Sequence, residues 1–153
     1  RETLHKQGIA YVFLGKELGA RSQNPTCYID GKVQYDRLAQ EALFSQGIER
    51  IRQGMKQYRI ALMCAEKDPI DCHRAILVAR HVAKAGLPVS HIHASGDLES
   101  HEQMEMRLLK LLKMPEGDMF KSREEYVESA YLIQGERIAY EDTQMIQTEA
   151  VSA

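Results

Sequence analysis

The fold prediction rests on Arg59-Ile60-Ala61-Leu62-Met63-Cys64, in which an arginine leads into a continuous apolar run. Such a run is typical of a strand that is buried on both faces of a parallel sheet. A helix that is apolar nearly all round is predicted next, over residues 72–85. Asp71 is its expected N-cap, and Gly86 and Pro88 end it, because glycine favours a left-handed C-cap and proline lacks a donor. A buried strand thus leads into a central helix.

Two further short strands are predicted on either side of this unit. Residues 9–13 form an apolar run, and residues 89–93 follow the end of the central helix. Strands that alternate with helices imply right-handed parallel crossovers. We therefore expect an α/β fold over residues 1–141, a small layered domain with a mostly parallel sheet of short strands flanked by helices. A loose tail is expected at residues 142–153. Because three strands make a thin sheet, we also expect an N-terminal strand to be missing from the chain as given.

Local signals predict the smaller elements. Asp30-Gly31 lies between two short apolar segments and is a strong signal for a tight hairpin turn. Two serine-initiated capping boxes predict later helix starts, at Ser100 with Gln103 and at Ser122 with Glu125.

The composition is that of a globular protein. Of 153 residues, 44% are hydrophobic and 27% are charged, and the formal net charge is −2. No basic run interrupts this balance, so the sequence gives little support for nucleic acid or an anionic membrane as a partner. A local basic groove is still compatible with the net charge, because net charge averages over all faces of the protein. Three cysteines argue against a secreted disulfide framework and favour a reducing, cytoplasmic location. The sequence is compatible with a homo-oligomer.

Polar side chains gather where the predicted strands end. They are Glu17 and Arg21 after the first strand, Cys64, Glu66 and Asp68 after the second, and His91, His93 and Asp97 after the third. Ligands of open α/β sheets bind in the crevice beyond the carboxyl ends of the strands. The segment from Cys64 to Arg74, where the central strand passes into the central helix, is therefore the predicted working site.

The leading hypothesis is a thiol-dependent enzyme that acts on a small anionic substrate. Cys72 is expected at the helix start, where free N–H groups and the helix dipole favour a thiolate. Either Cys64 or Cys72 would be the nucleophile or redox thiol, with His73 or His91 as acid or base. No cofactor is predicted for this chemistry.

Arg74, Arg21 and Glu17 form the predicted substrate-binding set. With Asp71 as N-cap, Arg74 would be the third helical residue, where the dipole favours an acid rather than a base. An acidic partner is therefore expected to hold Arg74 while its guanidinium still presents donors to the substrate, and the candidates are Glu66, Asp68 and Glu17.

Two other functions stay open. Cys64, Cys72 and His73, with either His91 or His93, give a Cys/His set of tetrahedral size for zinc or iron, although their spacing matches no common ligand motif. A nucleotide or nucleic-acid binding module would use residues 15–21 and the helix start as an anion cradle. Neither segment matches a phosphate-loop or dinucleotide fingerprint.

The chain resembles the uncharacterised bacterial family called domain of unknown function 488. The similarity lies in Met63-Cys64-Ala65-Glu66, in Cys72-His73-Arg74, and in Val89-Ser90-His91-Ile92 with Gly96. Upstream, Gly8-Ile9-Ala10-Tyr11 and Leu18-Gly19-Ala20-Arg21 match its strand and its Leu-Gly-Gly-Arg loop, with Ala20 in place of the second glycine. The resemblance covers roughly residues 4 to 113, and the family's opening strand and Asp-Val-Arg segment are absent. It implies a fold and a site location but no settled activity.

Overall fold

The computed structural model describes residues 1–142, and helices dominate its regular structure. The helices are α1 (Glu2–Lys6), α2 (Gly15–Leu18), α3 (Tyr35–Leu38), α4 (Ala42–Met55), α5, α6 (His101–Leu111) and α7 (Arg123–Ile138). Helix α5 begins with a π-helical segment, Arg74–Ala79, and continues as an α-helix, Arg80–Lys84. The strands are β1 (Tyr28–Ile29), β2 (Lys32–Val33), β3 (Ser90–Ile92) and β4 (Leu98–Ser100), and short 3-10 turns occur at Pro25–Cys27 and Pro69–Asp71.

The prediction of a mostly parallel sheet is wrong. Within residues 1–142 the strands form two separate antiparallel pairs, β1 with β2 and β3 with β4. Residues 9–13 and 59–64, two of the predicted strands, run without strand pairing. Ile60 and Met63 are 41% and 76% exposed, so the second stretch is not buried on both faces. The chain is a helix-rich α/β protein.

The error arises because an apolar run indicates a tendency to be buried and does not specify a backbone partner. A strand forms only where a second segment of backbone lies alongside it. The third predicted strand has such a partner close in sequence, because Gly96, at φ 92°, lets residues 93–97 turn back tightly. β3 therefore pairs with β4, and His91 lies opposite Glu99 in the register.

The predicted hairpin turn and the two predicted capping boxes are confirmed. Asp30 and Gly31 join β1 to β2 with φ values of 49° and 73°, as a tight hairpin turn requires. Both capping boxes are present, with Ser100 and Gln103 at α6 and Ser122 and Glu125 at α7. These three signals each act within a few residues, whereas the predicted sheet required pairing between distant segments.

Helix α5 lies at the centre of the fold, as its sequence predicts. One side packs on α4 in a core cluster that includes Phe44 and Leu77. The other side packs on α6 and α7 in a second core cluster, through Ile76, Leu108 and Ala130. Because both sides are buried, the beginning of α5 and the loop before it are held in a fixed place.

The last described residues rest on the first hairpin. The Val33 N–H donates to the Tyr140 carbonyl at 3.0 Å, and the Asp142 N–H donates to the Gly31 carbonyl at 2.7 Å. Apart from residue 142, the tail that was expected to be loose lies outside the described residues. Among the helices of residues 1–142, none has the length and apolar character that crossing a membrane requires.

Candidate metal centre

The loop that precedes α5 folds back on itself. Asp68 accepts a hydrogen bond from the Ile70 N–H at 2.9 Å and begins the 3-10 turn Pro69–Asp71. The Ile70 side chain is buried in the second core cluster, and the buried Gln134 of α7 donates to the Ile70 carbonyl at 3.1 Å. The turn is thus fixed both locally and from α7, and it brings the start of α5 back toward Cys64.

The prediction that Asp71 caps α5 is wrong. The 3-10 turn includes Asp71, and Cys72 has the extended backbone of a capping residue, with φ −126° and ψ 132°. Cys72 Sγ accepts a hydrogen bond from the Arg74 N–H at 3.3 Å. Helical dihedral angles begin at His73, so Arg74 is the second helical residue rather than the third.

Four side chains converge where this loop meets α5, and we call them the thiol cluster: Cys64, Glu66, Cys72 and His73. Their candidate ligand atoms all lie within 4.8 Å of one another. Glu66 Oε2 accepts hydrogen bonds from both thiols, at 2.7 Å from Cys64 Sγ and 3.3 Å from Cys72 Sγ. Cys64 Sγ lies 3.4 Å from His73 Nδ1. Two sulfurs, a carboxylate and an imidazole therefore face one point.

The thiol cluster is closed on one side and open on the other. Cys72 is 0% exposed, whereas Cys64 and His73 are half-buried and Glu66 is exposed. A small molecule or ion therefore reaches the cluster from the side of Glu66.

Burial controls the protonation of Cys72 and His73. Burial raises the pKa of the Cys72 thiol, and Cys64 and Glu66 raise it further against the opposing Arg74 N–H. The hypothesis that the helix start favours a Cys72 thiolate is therefore wrong, because desolvation of the charged form outweighs one N–H donor. Burial also lowers the pKa of His73. The hydrogen bond from Cys64 is the main cause that lowers the pKa of Glu66.

A second polar group, which we call the arginine cluster, consists of Asp68, His93, Glu99 and Arg107. Arg107 of α6 donates two hydrogen bonds to each of the two carboxylates, at 2.8–3.0 Å. His93 Nε2 lies 3.0 Å from Glu99 Oε2. His93, a candidate metal ligand in the sequence, is thus engaged here, and Glu66 stands in its place in the thiol cluster.

His91, the other candidate acid or base, belongs to a separate buried chain of hydrogen bonds. Its Nε2 lies 3.0 Å from His101 Nδ1, and His101 Nε2 lies 3.1 Å from the Tyr131 hydroxyl. That hydroxyl donates to Glu105 at 3.1 Å. Burial, assisted by the neighbouring His101, lowers the pKa of His91 to about 4. His91 is therefore neutral at pH 7 and lies outside the thiol cluster.

Arg74 has none of the acidic partners that we expected. Glu17 pairs with Arg50, and Asp68 pairs with Arg107. Glu66 accepts hydrogen bonds from Cys64 and Cys72 instead. The expectation that one of these acids holds Arg74 is wrong. Arg74 is half-buried as a residue, and within residues 1–142 its guanidinium makes no hydrogen bond and no ion pair.

Arg21 and Glu17 lie in other surroundings. The Arg21 guanidinium lies over the ring of Tyr140, 4.1 Å from its centroid. Glu17 belongs to α2 and contacts α4 through its ion pair with Arg50. No hydrogen bond or ion pair among the described residues joins either side chain to the thiol cluster, so their part in substrate binding stays a prediction.

Glu66 belongs to the thiol cluster but is not among the catalytic, substrate-binding or metal-binding residues predicted from the sequence. A signal was available, because residues two apart in an extended chain point to the same side, which places Glu66 beside Cys64. No such local signal identified Arg107 or Tyr131, because each contacts a residue far away in sequence: Arg107 contacts Asp68, and Tyr131 contacts His101.

The comparisons with known proteins give one match. The model of a family described as domain of unknown function DUF488 matches residues 1–81, a range that includes the whole thiol cluster. The match ends before residue 113, to which the sequence resemblance extended. No curated protein and no solved structure matches the chain.

Proposed function

We propose that this chain, which belongs to the family of unknown function DUF488, binds a divalent metal ion, zinc, at the thiol cluster. The observation that carries the proposal is the convergence of the four candidate ligand atoms within 4.8 Å of one another. Thiolate sulfur, imidazole nitrogen and carboxylate oxygen are the atoms that bind zinc in proteins. In a tetrahedral zinc site such atoms lie roughly 3.3–3.8 Å apart, so a small adjustment of the cluster suffices.

A cation would also stabilise the thiolate form of the cluster. The Glu66 carboxylate contacts both sulfurs, and negative charge on either sulfur would be repelled by it. A divalent ion attracts all of these groups and replaces the thiol protons, so its binding is coupled to proton release. The hydrogen bond from the Arg74 N–H to Cys72 Sγ is of the kind that orients a sulfur ligand.

The mixture of donors favours zinc. Two sulfurs with one nitrogen and one oxygen do not suit magnesium or calcium, which take oxygen ligands. Iron is the alternative for the same donor set, because thiolate and imidazole ligands also bind iron. Metal analysis distinguishes the two.

Metal analysis of untagged protein tests the proposal. We expect about one zinc ion per chain. Cys72→Ala should weaken zinc binding more than about 100-fold, because the loss of a ligand exceeds the 10–100-fold cost of an outer-shell change. Cys27→Ala is the matched control, since Cys27 is also a buried cysteine but belongs to the hydrophobic core. Wild-type protein without stoichiometric zinc or iron after exposure to each metal would contradict the proposal, and so would unaltered binding in the Cys72 variant.

A second function, thiol chemistry at Cys64, is favoured by one contact. Cys64 Sγ lies 3.4 Å from His73 Nδ1, and such an imidazole can take the thiol proton while the sulfur attacks an electrophile. Cys64 is half-buried, whereas Cys72 and Cys27 are buried, so an electrophile reaches Cys64 first. No observation of this kind favours the nucleotide or nucleic-acid module, which stays a prediction.

Alkylation of the metal-free protein tests this second function. Iodoacetamide should modify Cys64 before the two buried cysteines, and His73→Gln should slow that reaction by about tenfold or more. Added zinc should protect Cys64. Equal alkylation rates for Cys64 in wild-type protein and in the His73 variant would show that His73 does not activate Cys64.

A further inference from the structure

We infer that the metal of the thiol cluster takes a small oxyanion, a carboxylate or phosphate group, as its exchangeable ligand and that Arg74 recognises this anion. The inference rests on the metal-binding function proposed above and names the ligand class of the same site. Two observations carry it: the guanidinium of Arg74 has no hydrogen-bond or ion-pair partner within residues 1–142, and Glu66 is exposed.

Arg74 differs from the other arginines that are partly or wholly buried in residues 1–142. Each of those pairs with a carboxylate: Arg80 with Glu128, Arg107 with Asp68 and Glu99, and Arg123 with Glu102. The guanidinium of Arg74 has no such partner among these residues. A guanidinium without a carboxylate partner keeps its donors available for an anion.

The position of Arg74 joins it to the thiol cluster. It follows the cluster member His73 directly, and its own N–H donates to Cys72 Sγ at 3.3 Å. A guanidinium presents a planar fork of donors that matches the two oxygens of a carboxylate or phosphate. Arg74 therefore supplies anion recognition next to the proposed metal.

Glu66 is the ligand that can give up its place. It is exposed, whereas Cys72 is buried and Cys64 and His73 are half-buried. Catalytic zinc sites keep three protein ligands and leave a fourth position for water or substrate. Cys64, Cys72 and His73 would form such a set, and an incoming oxyanion would replace the Glu66 carboxylate on the open side.

The test uses full-length protein loaded with cobalt(II) and desalted, with inorganic phosphate as the probe. The visible absorption of cobalt(II) changes when its ligands change, so a phosphate titration reports exchange at the metal. We expect a saturable change in the wild-type spectrum. Arg74→Gln should weaken phosphate binding about tenfold or more, and Arg74→Lys should restore part of it. Glu66→Gln should strengthen phosphate binding, because the competing carboxylate is gone.

Arg137→Gln is the control for a general change of charge. Arg137 is exposed at the end of α7 and should leave the titration unchanged. Cobalt binding without a spectral response to phosphate, or identical titrations of wild-type and Arg74→Gln protein, would overturn the inference and leave the metal centre intact. Failure of wild-type protein to bind cobalt or zinc would instead overturn the metal-binding function itself, and the inference with it.

Discussion

The loop before α5 contributes residues to both the thiol cluster and the arginine cluster, but the two clusters balance their charges in different ways. In the arginine cluster the carboxylates of Asp68 and Glu99 share the guanidinium of Arg107, which satisfies both. In the thiol cluster Glu66 has no cationic side chain bonded to it within residues 1–142, and its partners are two thiols.

We propose that this difference separates a structural group from a functional one. A network that contains its own counter-ion fixes the loop to α6 and needs nothing from outside. A set of metal-binding atoms without a cation gains free energy when one is supplied. The arginine cluster should therefore affect folding stability, and the thiol cluster should affect ligand binding.

The largest expected effect is the stabilisation of the protein by metal. At a free zinc concentration of 100 times Kd, binding to the folded state adds about 2.7 kcal/mol to the free energy of unfolding. For a chain of this length that raises Tm by roughly 5–10 °C. Differential scanning calorimetry with zinc and with a chelator measures the shift. Cys72→Ala should abolish it, whereas a similar shift in that variant would place the metal elsewhere.

A smaller effect is expected when the arginine cluster loses its cation. Arg107→Met keeps much of the apolar stem but removes the hydrogen bonds to both carboxylates. We expect the free energy of unfolding to fall by about 1–2 kcal/mol, a modest value because Arg107 is partly exposed. Urea denaturation measures this loss, and zinc titration should give nearly the wild-type affinity. Loss of zinc binding in a folded Arg107 variant would show that the clusters are not separate.

The smallest effect concerns the order in which acid disrupts the two clusters. Burial alone would raise the pKa of Asp68, but Arg107 holds it below the ordinary value, and Arg107 also lowers the pKa of Glu99. The stability from these carboxylates is present above their ordinary pKa values, near 4, and is lost as the pH falls through the lowered ones. The thiol cluster should release zinc at a higher pH, because protons compete for cysteine and histidine ligands above pH 4.

Parallel acid titrations from pH 7 to pH 3 check this order. Zinc retention reports the thiol cluster, and the difference in unfolding free energy between wild-type and Arg107→Met protein reports the arginine cluster. Zinc that stays bound after this difference has vanished would contradict the expected order.

Sequence reasoning predicted which residues of the thiol cluster lie together better than it described the fold. Asp30-Gly31 and the capping serines act through neighbouring residues, so their outcomes could be predicted. Residues 59–64 have the composition of a buried strand, but a strand depends on a backbone partner that a local pattern cannot name. The antiparallel pairing of β3 with β4 depends on a tight turn around Gly96 instead.

Within the site, closeness along the chain decided what could be predicted. Cys64, Cys72 and His73 were expected together, and one folded loop does bring them together. The expectation for Asp71 failed because Asp68 begins a 3-10 turn and moves the helix cap to Cys72. The partners of Asp68 and His91 come from α6, so no nearby pattern identified them.

X-ray absorption spectroscopy of the zinc-loaded protein tests the metal centre most directly. We expect two sulfur ligands at about 2.3 Å and two nitrogen or oxygen ligands at about 2.0–2.2 Å. Cys64→Ala should remove one sulfur from this shell, and Cys27→Ala should remove none. A shell of nitrogen and oxygen alone, or one that keeps both sulfurs in the Cys64 variant, would contradict binding at the thiol cluster.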